Sequence, residues 1–175
     1  MKYFFLSIGF CFGTFLSANC PDVLNHEVRV LDSKEVKNLC EYQDKVILAV
    51  NVASRCGYTP QYKGLQNLYR EFQDKDFIIL GFPSRDFLWQ EFSDEAKIKE
   101  FCSTEYGVTF PMFATSSVKG KKANKFFKNL IKTTGEEPGW NFHKYLIDKE
   151  GSVKSFQTKI EPDNKELLNT IKSLL

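Results

Sequence analysis

The chain is 175 residues long with a formal charge of only +2, and no lysine/arginine stripe runs through its aromatics, which excludes nucleic acid as the natural partner. That length suits one domain with a substantial core. Seventeen phenylalanines beside unremarkable glycine and proline make it a globular chain rather than a fibrous or disordered one.

Met1 and Lys2 precede Tyr3 to Leu16, fourteen residues without a charge, and the run exits through Ser17 and Ala18. A short positive start, an apolar stretch of roughly 7–15 residues and small exit residues predict a secretory signal over 1–18. The expectation is an exported, periplasmic or secreted domain over 19–175. Cys20 keeps a lipid anchor as an alternative, although Ser17-Ala18-Asn19 departs from the Leu-small-small pattern of lipoproteins. Of five cysteines, Cys11 would leave with the signal and Cys20, Cys40, Cys56 and Cys102 would remain. Four cysteines in an exported chain allow two structural disulfides, and spacing alone does not decide.

Val23, Val28, Val30 and Leu31 predict a short opening strand or hairpin. Val46–Val52 is an apolar, β-branched run of the kind that forms a buried strand, and Cys40 just before it reads as structural. Leu65, Leu68, Tyr69 and Phe72 recur at helical spacing, and Phe77–Phe82 forms a second strand stopped by Pro83. Strand, helix and strand with short links make a right-handed βαβ unit with parallel pairing. Helices are predicted over Ala96–Thr104 and Ala123–Lys132. Tyr145–Ile147 and Val153–Phe156 flank Asp148-Lys-Glu-Gly151, a hairpin signal. A last helix opens at Asp163 with Glu166 three residues on, as a capping box does. This order predicts a thioredoxin-like α/β fold, a central mixed sheet flanked by helices.

The candidate chemistry sits in Asn51-Val-Ala-Ser-Arg-Cys-Gly-Tyr-Thr59. Cys56 falls between a strand's carboxyl end and an oncoming helix, where open α/β sheets place their chemistry. Free N–H groups at a helix start stabilise a thiolate. The alternative is a buried structural cysteine. Cys56-Gly-Tyr-Thr59 lacks the second thiol of a Cys-x-x-Cys pair, which suits peroxide attack better than dithiol exchange.

Asn51 to Tyr62 resembles the active-site signature of glutathione peroxidases in their cysteine form. Leu80-Gly-Phe-Pro83 with Phe87 and Gln90-Glu91 resembles the second family motif, and Trp140-Asn-Phe-His-Lys-Tyr-Leu146 the third. The resemblance runs from about Val28 to Leu174. It implies a catalytic tetrad of Cys56, Gln90, Trp140 and Asn141, in which uncharged donors surround the sulfur and polarise the peroxide. The chain departs from the pattern at Ser84-Arg85-Asp86, where the family has Cys-Asn-Gln, and at Leu88-Trp89, where glycine is expected first. Arg85 and Asp86 are read either as tuners of the thiolate or as a solvated loop pair.

Cys102, in Glu100-Phe-Cys-Ser-Thr-Glu-Tyr-Gly107 and 46 residues beyond Cys56, resembles the resolving cysteine of thioredoxin-dependent members. The resemblance implies a sulfenic acid on Cys56 that Cys102 converts to a disulfide, for which the second helix must partly unwind. The expected substrates are hydrogen peroxide and organic or lipid hydroperoxides, with a thioredoxin-like protein rather than glutathione as reductant. The short link Thr133–Gly139 predicts a monomer. His26 and His143 stand far apart and no Cys/His group has zinc spacing, so neither metal nor cofactor is expected. The rival readings are a glutathione-dependent peroxidase, a dithiol oxidoreductase, and a redox sensor or disulfide relay without efficient turnover.

Overall fold

A computed structural model describes residues 20–175, so the predicted signal over 1–18 lies outside the described residues. Two short antiparallel strands, β1 (Glu27–Arg29) and β2 (Val36–Asn38), form the opening hairpin. The central strand β3 (Val46–Val52) leads through the Cys56 turn into α1 (Gln61–Phe72) and then β4 (Phe77–Pro83). Helices α2 (Glu95–Tyr106) and α3 (Lys125–Thr134) follow. The chain closes with β5 (Lys144–Ile147), β6 (Val153–Phe156) and α4 (Lys165–Leu174). The main sheet has the order β4-β3-β5-β6, parallel between β3 and β4 and antiparallel elsewhere. This mixed sheet with helices on both sides is the thioredoxin-like arrangement that the sequence predicts.

Every residue of β3 and β4 is buried, which is why both read as apolar runs, interrupted in β3 only by Asn51. Successive side chains of β3 serve two cores. Val46, Leu48, Val50 and Val52 pack with Leu65, Leu68, Ile98, Leu167 and Ile171 of α1, α2 and α4. Ile47 and Ala49 face Phe126, Phe127 and Leu130 of α3. Beyond β4, the segment 111–113 runs alongside and bonds to Gly81 through N–H and carbonyl at 2.9 Å each. A Cβ at Gly81 would collide with the Met112 sulfur, so the glycine gives that side chain its present place over β4.

Some predicted boundaries shift. The final helix is capped by Asn164, whose Oδ1 accepts the Glu166 N–H at 2.8 Å, and not by Asp163. Ala123 belongs to the link into α3; Asn124 caps that helix by accepting from Phe127 N–H. Pro83 is the last paired residue of β4, opposite Val52, rather than the residue beyond it. α2 is a turn longer than predicted because Asp94 caps its start and Gly107, at φ 59°, ends it.

Cys40 is structural, as expected, and its partner is Cys20, with the Cα atoms 5.5 Å apart. The bridge fastens the segment entering the domain to the turn just before β3, and only one pair of the four cysteines is bridged. Cys56 and Cys102 are free thiols. Closing a loop over a separation of 20 residues restricts the unfolded chain by about 3 kcal/mol. The double replacement Cys20→Ser/Cys40→Ser is therefore expected to lower unfolding free energy by about that amount in denaturant titrations.

Candidate active site

The Cys56 turn is built on its own backbone before any other residue joins it. Thr59 Oγ1 accepts the Cys56 N–H at 2.9 Å and donates to the Ala53 carbonyl at 2.9 Å. Thr59 N–H returns to the Cys56 carbonyl, and Tyr58 N–H donates to Cys56 Sγ at 3.4 Å. The Cys56 sulfur thus has a backbone donor on it, and the residue as a whole is 7 % exposed, nearly but not wholly buried.

A second loop, residues 87–91, is docked on the first. Arg55 N–H donates to the Gln90 carbonyl at 2.9 Å, and the Arg55 guanidinium holds the carbonyls of Trp89 and Glu91. The buried Glu91 carboxylate accepts from the N–H groups of Ser54 and Phe92. Burial raises its pKa against those hydrogen bonds. A third segment completes the ring. Asn141 Nδ2 donates to Gln90 Oε1 at 3.0 Å, Asn51 Nδ2 to the Trp140 carbonyl, and Thr158 Oγ1 to the Asn141 carbonyl. Trp140 packs on Phe87 with ring centroids 5.5 Å apart. Gln90, Trp140 and Asn141 are therefore knit to one another and, through Arg55 and Asn51, to the strand and turn that carry Cys56. A cavity of about 750 Å³ lined by Tyr58, Trp140, Glu136, Glu137, His143 and Lys159 opens beside this ring.

Cys102 lies in α2, buried in the same apolar cluster as Cys56. Burial pushes its thiol up to about 11, and the Glu91 carboxylate adds to the rise. Its phenol neighbour, Tyr62, is fully buried and its pKa too is raised by desolvation. α2 buries only Ile98 and Cys102, whereas α1 buries Gln61, Tyr62, Leu65, Gln66, Leu68 and Phe72.

The two unusual residues of the second motif part company. Asp86 Oδ2 accepts from Ser117 Oγ at 2.9 Å and from Val118 N–H at 2.7 Å, so its charge is spent on the 116–118 loop. The Arg85 guanidinium lies 4.8 Å from the Trp89 ring centroid. Leu88 and Trp89 both have left-handed backbones, φ 51° and 56°, in place of the expected glycine. Such a conformation costs about 1–2 kcal/mol at each bulky residue.

Sequence reasoning passed over Lys144. It sits in β5 on the Leu146 side and is fully buried, with Nζ donating to Gln61 Oε1 and the Phe142 carbonyl at 2.7 Å each. It joins the first turn of α1 to the segment bearing Trp140 and Asn141. The only advance signal was a lysine in an otherwise apolar strand, which ordinarily marks a solvent face. Among the described residues, no three His, Cys, Asp or Glu side chains gather as a metal site.

A thioredoxin fold with a nearly buried free thiol just beyond its central strand, its turn bonded through Arg55 to the loop that carries Gln90, defines a thiol oxidoreductase. The glutathione peroxidase family profile matches residues 23–131, more than half of the chain. The chain is 40 % identical over 164 residues to the hydroperoxy fatty acid reductase of Synechocystis sp., covering 87 % of this chain and 95 % of that protein. It is 34 % identical over 178 residues to the thioredoxin/glutathione peroxidase BtuE of Escherichia coli, covering 87 % and 97 %. The crystal structure of Trgpx in apo form superposes with a TM-score of 0.67 at 30 % identity, covering 86 % of this chain and 95 % of that one. The chain belongs to the glutathione peroxidase family.

Burial of Lys144 carries a signature in pH. Desolvation lowers its pKa to about 7 from 10.5, so between those values the unfolded chain binds the extra proton. Stability should rise with pH above 7, by at most about 1.4 kcal/mol per unit, with the full desolvation penalty felt below 7. Cys102 acts oppositely once the unfolded thiol titrates near 9, which leaves pH 7–9 as the clear window. Denaturant unfolding across that window should show the rise in the wild type and lose it in Lys144→Met.

Proposed function

We propose that the chain is a thiol peroxidase that reduces hydrogen peroxide and organic hydroperoxides at Cys56, with Cys102 as the resolving residue. The observation that carries this reading is the Cys56 turn itself: a free thiol with a backbone donor on its sulfur, in a turn bonded through Arg55 to the loop of Gln90, which in turn holds Asn141 beside Trp140. The Cys56 thiolate attacks the outer peroxide oxygen, the O–O bond breaks, and the leaving alkoxide is protonated to alcohol or water. Cys56 becomes a sulfenic acid. The Gln90 amide and the Trp140 indole N–H are the donors that oppose the developing negative charge. Room for an organic substituent is supplied by the cavity beside Trp140 and Tyr58.

Resolution couples chemistry to unfolding. In the reduced protein Cys102 is a poor nucleophile because burial holds it as a thiol. When α2 loosens, Cys102 returns to water, ionises more readily and attacks the sulfenic sulfur, releasing water and forming the Cys56–Cys102 disulfide. α2 carries Cys102 and buries only Ile98 beside it, so less apolar packing opposes its loosening than opposes that of α1. A thioredoxin-like dithiol then reduces that disulfide by exchange, becoming oxidised in turn. BtuE, whose name carries both thioredoxin and glutathione, supports a protein reductant without excluding glutathione as an external thiol.

The protein acts as an exported monomer. Export is supported by the Cys20–Cys40 bridge, since structural disulfides persist in oxidising compartments. The Cys20 sulfur that a lipid anchor would need is taken by that bridge. Protein recovered from its native host should lack residues 1–18 by mass spectrometry.

Cys56→Ser should lose peroxide reduction while keeping the fold, and retention of more than about a tenth of wild-type activity would reject the assignment. Cys102→Ser should consume one equivalent of peroxide and then stall as sulfenic acid or over-oxidise. Peptide mapping after peroxide should find Cys56 joined to Cys102, with Cys20–Cys40 intact before and after. Full thioredoxin-supported turnover by Cys102→Ser would show that another thiol resolves Cys56.

Replacing the donors tests the rest of the ring. Gln90→Ala and Trp140→Phe should each slow thiolate oxidation in rapid mixing by a factor equivalent to about 2–4 kcal/mol. Unfolding free energy should change less than that.

A further inference from the structure

Leu88 and Trp89 are 73 % and 68 % exposed, the most exposed large apolar side chains among the described residues, and they are adjacent. Scattered single apolar residues on a surface need no explanation. Two neighbours held out by consecutive left-handed backbones do, because the fold accepts strain to place them there. Their surroundings are cationic. The Arg85 guanidinium lies over the Trp89 ring, Arg55 is exposed and holds the Trp89 carbonyl, and Lys119 Nζ lies 4.9 Å from the Phe87 ring centroid. Of the two carboxylates within three residues along the chain, Asp86 is bonded to Ser117 and Val118 and Glu91 is buried.

We propose that Leu88 and Trp89 form a wedge that seats the protein on an anionic lipid surface, with Arg85, Arg55 and Lys119 meeting the headgroups. An indole has an apolar body and a polar edge, which suits the boundary between acyl chains and headgroups. Cations beside such residues add attraction to anionic lipid and are insufficient alone without apolar insertion. The exposed apolar surface is two side chains with Arg85, Arg55 and Lys119 nearby, which suits a lipid surface rather than the broad patch a stable protein complex buries. It is also continuous with the site. Trp89 precedes Gln90, and Arg55 precedes Cys56, so a seated protein brings its thiol to the level of hydroperoxides carried by membrane lipids. This extends the peroxidase reading to a substrate held in a bilayer, and it rests on that reading only for the kinetic consequence.

The test uses Leu88→Gly/Trp89→Asn in the chain without residues 1–18. Glycine and asparagine accept left-handed backbone, so the variant removes the wedge while keeping the loop geometry. Vesicles of phosphatidylcholine alone and of phosphatidylcholine mixed with phosphatidylglycerol are sedimented with each protein. The wild type should sediment with the mixed vesicles and be released by high salt, and the variant should lose at least about tenfold in partitioning. The rate of each protein with hydrogen peroxide in free solution is the reference against which its rate on vesicles is expressed. With phosphatidylcholine hydroperoxide embedded in mixed vesicles, the variant should be the slower by a similar factor.

Undiminished vesicle binding by the variant overturns the proposal. So does intact vesicle binding with a selective loss of thioredoxin-supported turnover, which would assign the wedge to the protein reductant. Failure of the wild type to react with hydrogen peroxide would instead reject the peroxidase reading, and the sedimentation result would still decide the wedge.

Discussion

The Cys56 turn and the 87–91 loop are held together mainly through backbone groups, and the geometry of the site depends on that docking. Arg55 N–H meets the Gln90 carbonyl, the Arg55 guanidinium takes two further carbonyls, and Glu91 takes the Ser54 N–H. A loop fixed by backbone bonds leaves its side chains unspent. Gln90 uses its carbonyl oxygen on Asn141, which keeps its amide NH₂ for the reacting centre. The Glu91 carboxylate is the weak point. Its Oε2 is buried without a partner, and burial raises its pKa, so protonation would weaken its hold on Ser54 and Phe92.

The same sheet sorts four thiols into two uses. Cys20 and Cys40 close a bridge before β3 begins, and Cys56 emerges after it ends. Seven extended residues, Val46–Val52, stand between the two ends, roughly 20 Å of strand. A disulfide needs Cα atoms within about 7 Å, so β3 works as a spacer that keeps the structural pair out of exchange with the reactive one. The remaining thiol, Cys102, is separated by burial and not by distance along a strand. It shares the Cys56 cluster and is withheld by desolvation. Distance along β3 thus isolates the structural pair, and burial restrains the free thiol of Cys102.

The parts of this fold legible in the sequence were those where one physical demand dominates. β3 and β4 are buried on both faces, so their composition is uniform, and α1 and α3 each carry one dense apolar stripe. The site residues were legible through three motifs in register; their mutual hydrogen bonds were not, because they join residues as far apart as Asn51 and Trp140. The pairing of Cys20 with Cys40 was closed to sequence reasoning, since four cysteines admit several pairings. Asn164 displaced Asp163 as a cap because either side chain can do the work and only the chain's entry angle chooses. Lys144 was invisible for a related reason: a lysine in a strand reads as solvated, and only the carbonyl of Phe142 and the amide of Gln61, brought from elsewhere, let it be buried.

Leu88 and Trp89 are where local preference and the observed fold conflict most plainly. Glycine would relieve both positions, and neither side chain supports the core, so packing does not select them. The conflict sits one residue from Gln90, in the loop on which the Cys56 turn depends. Local rules are most often broken at functional sites, where strain in one segment is offset by the rest of the fold. Here the offset is visible: Arg55 holds the Trp89 carbonyl and Arg85 packs on its ring. Two arginines therefore hold in place an apolar tip that adds little to the core of its own chain, which is why its purpose is sought outside that core.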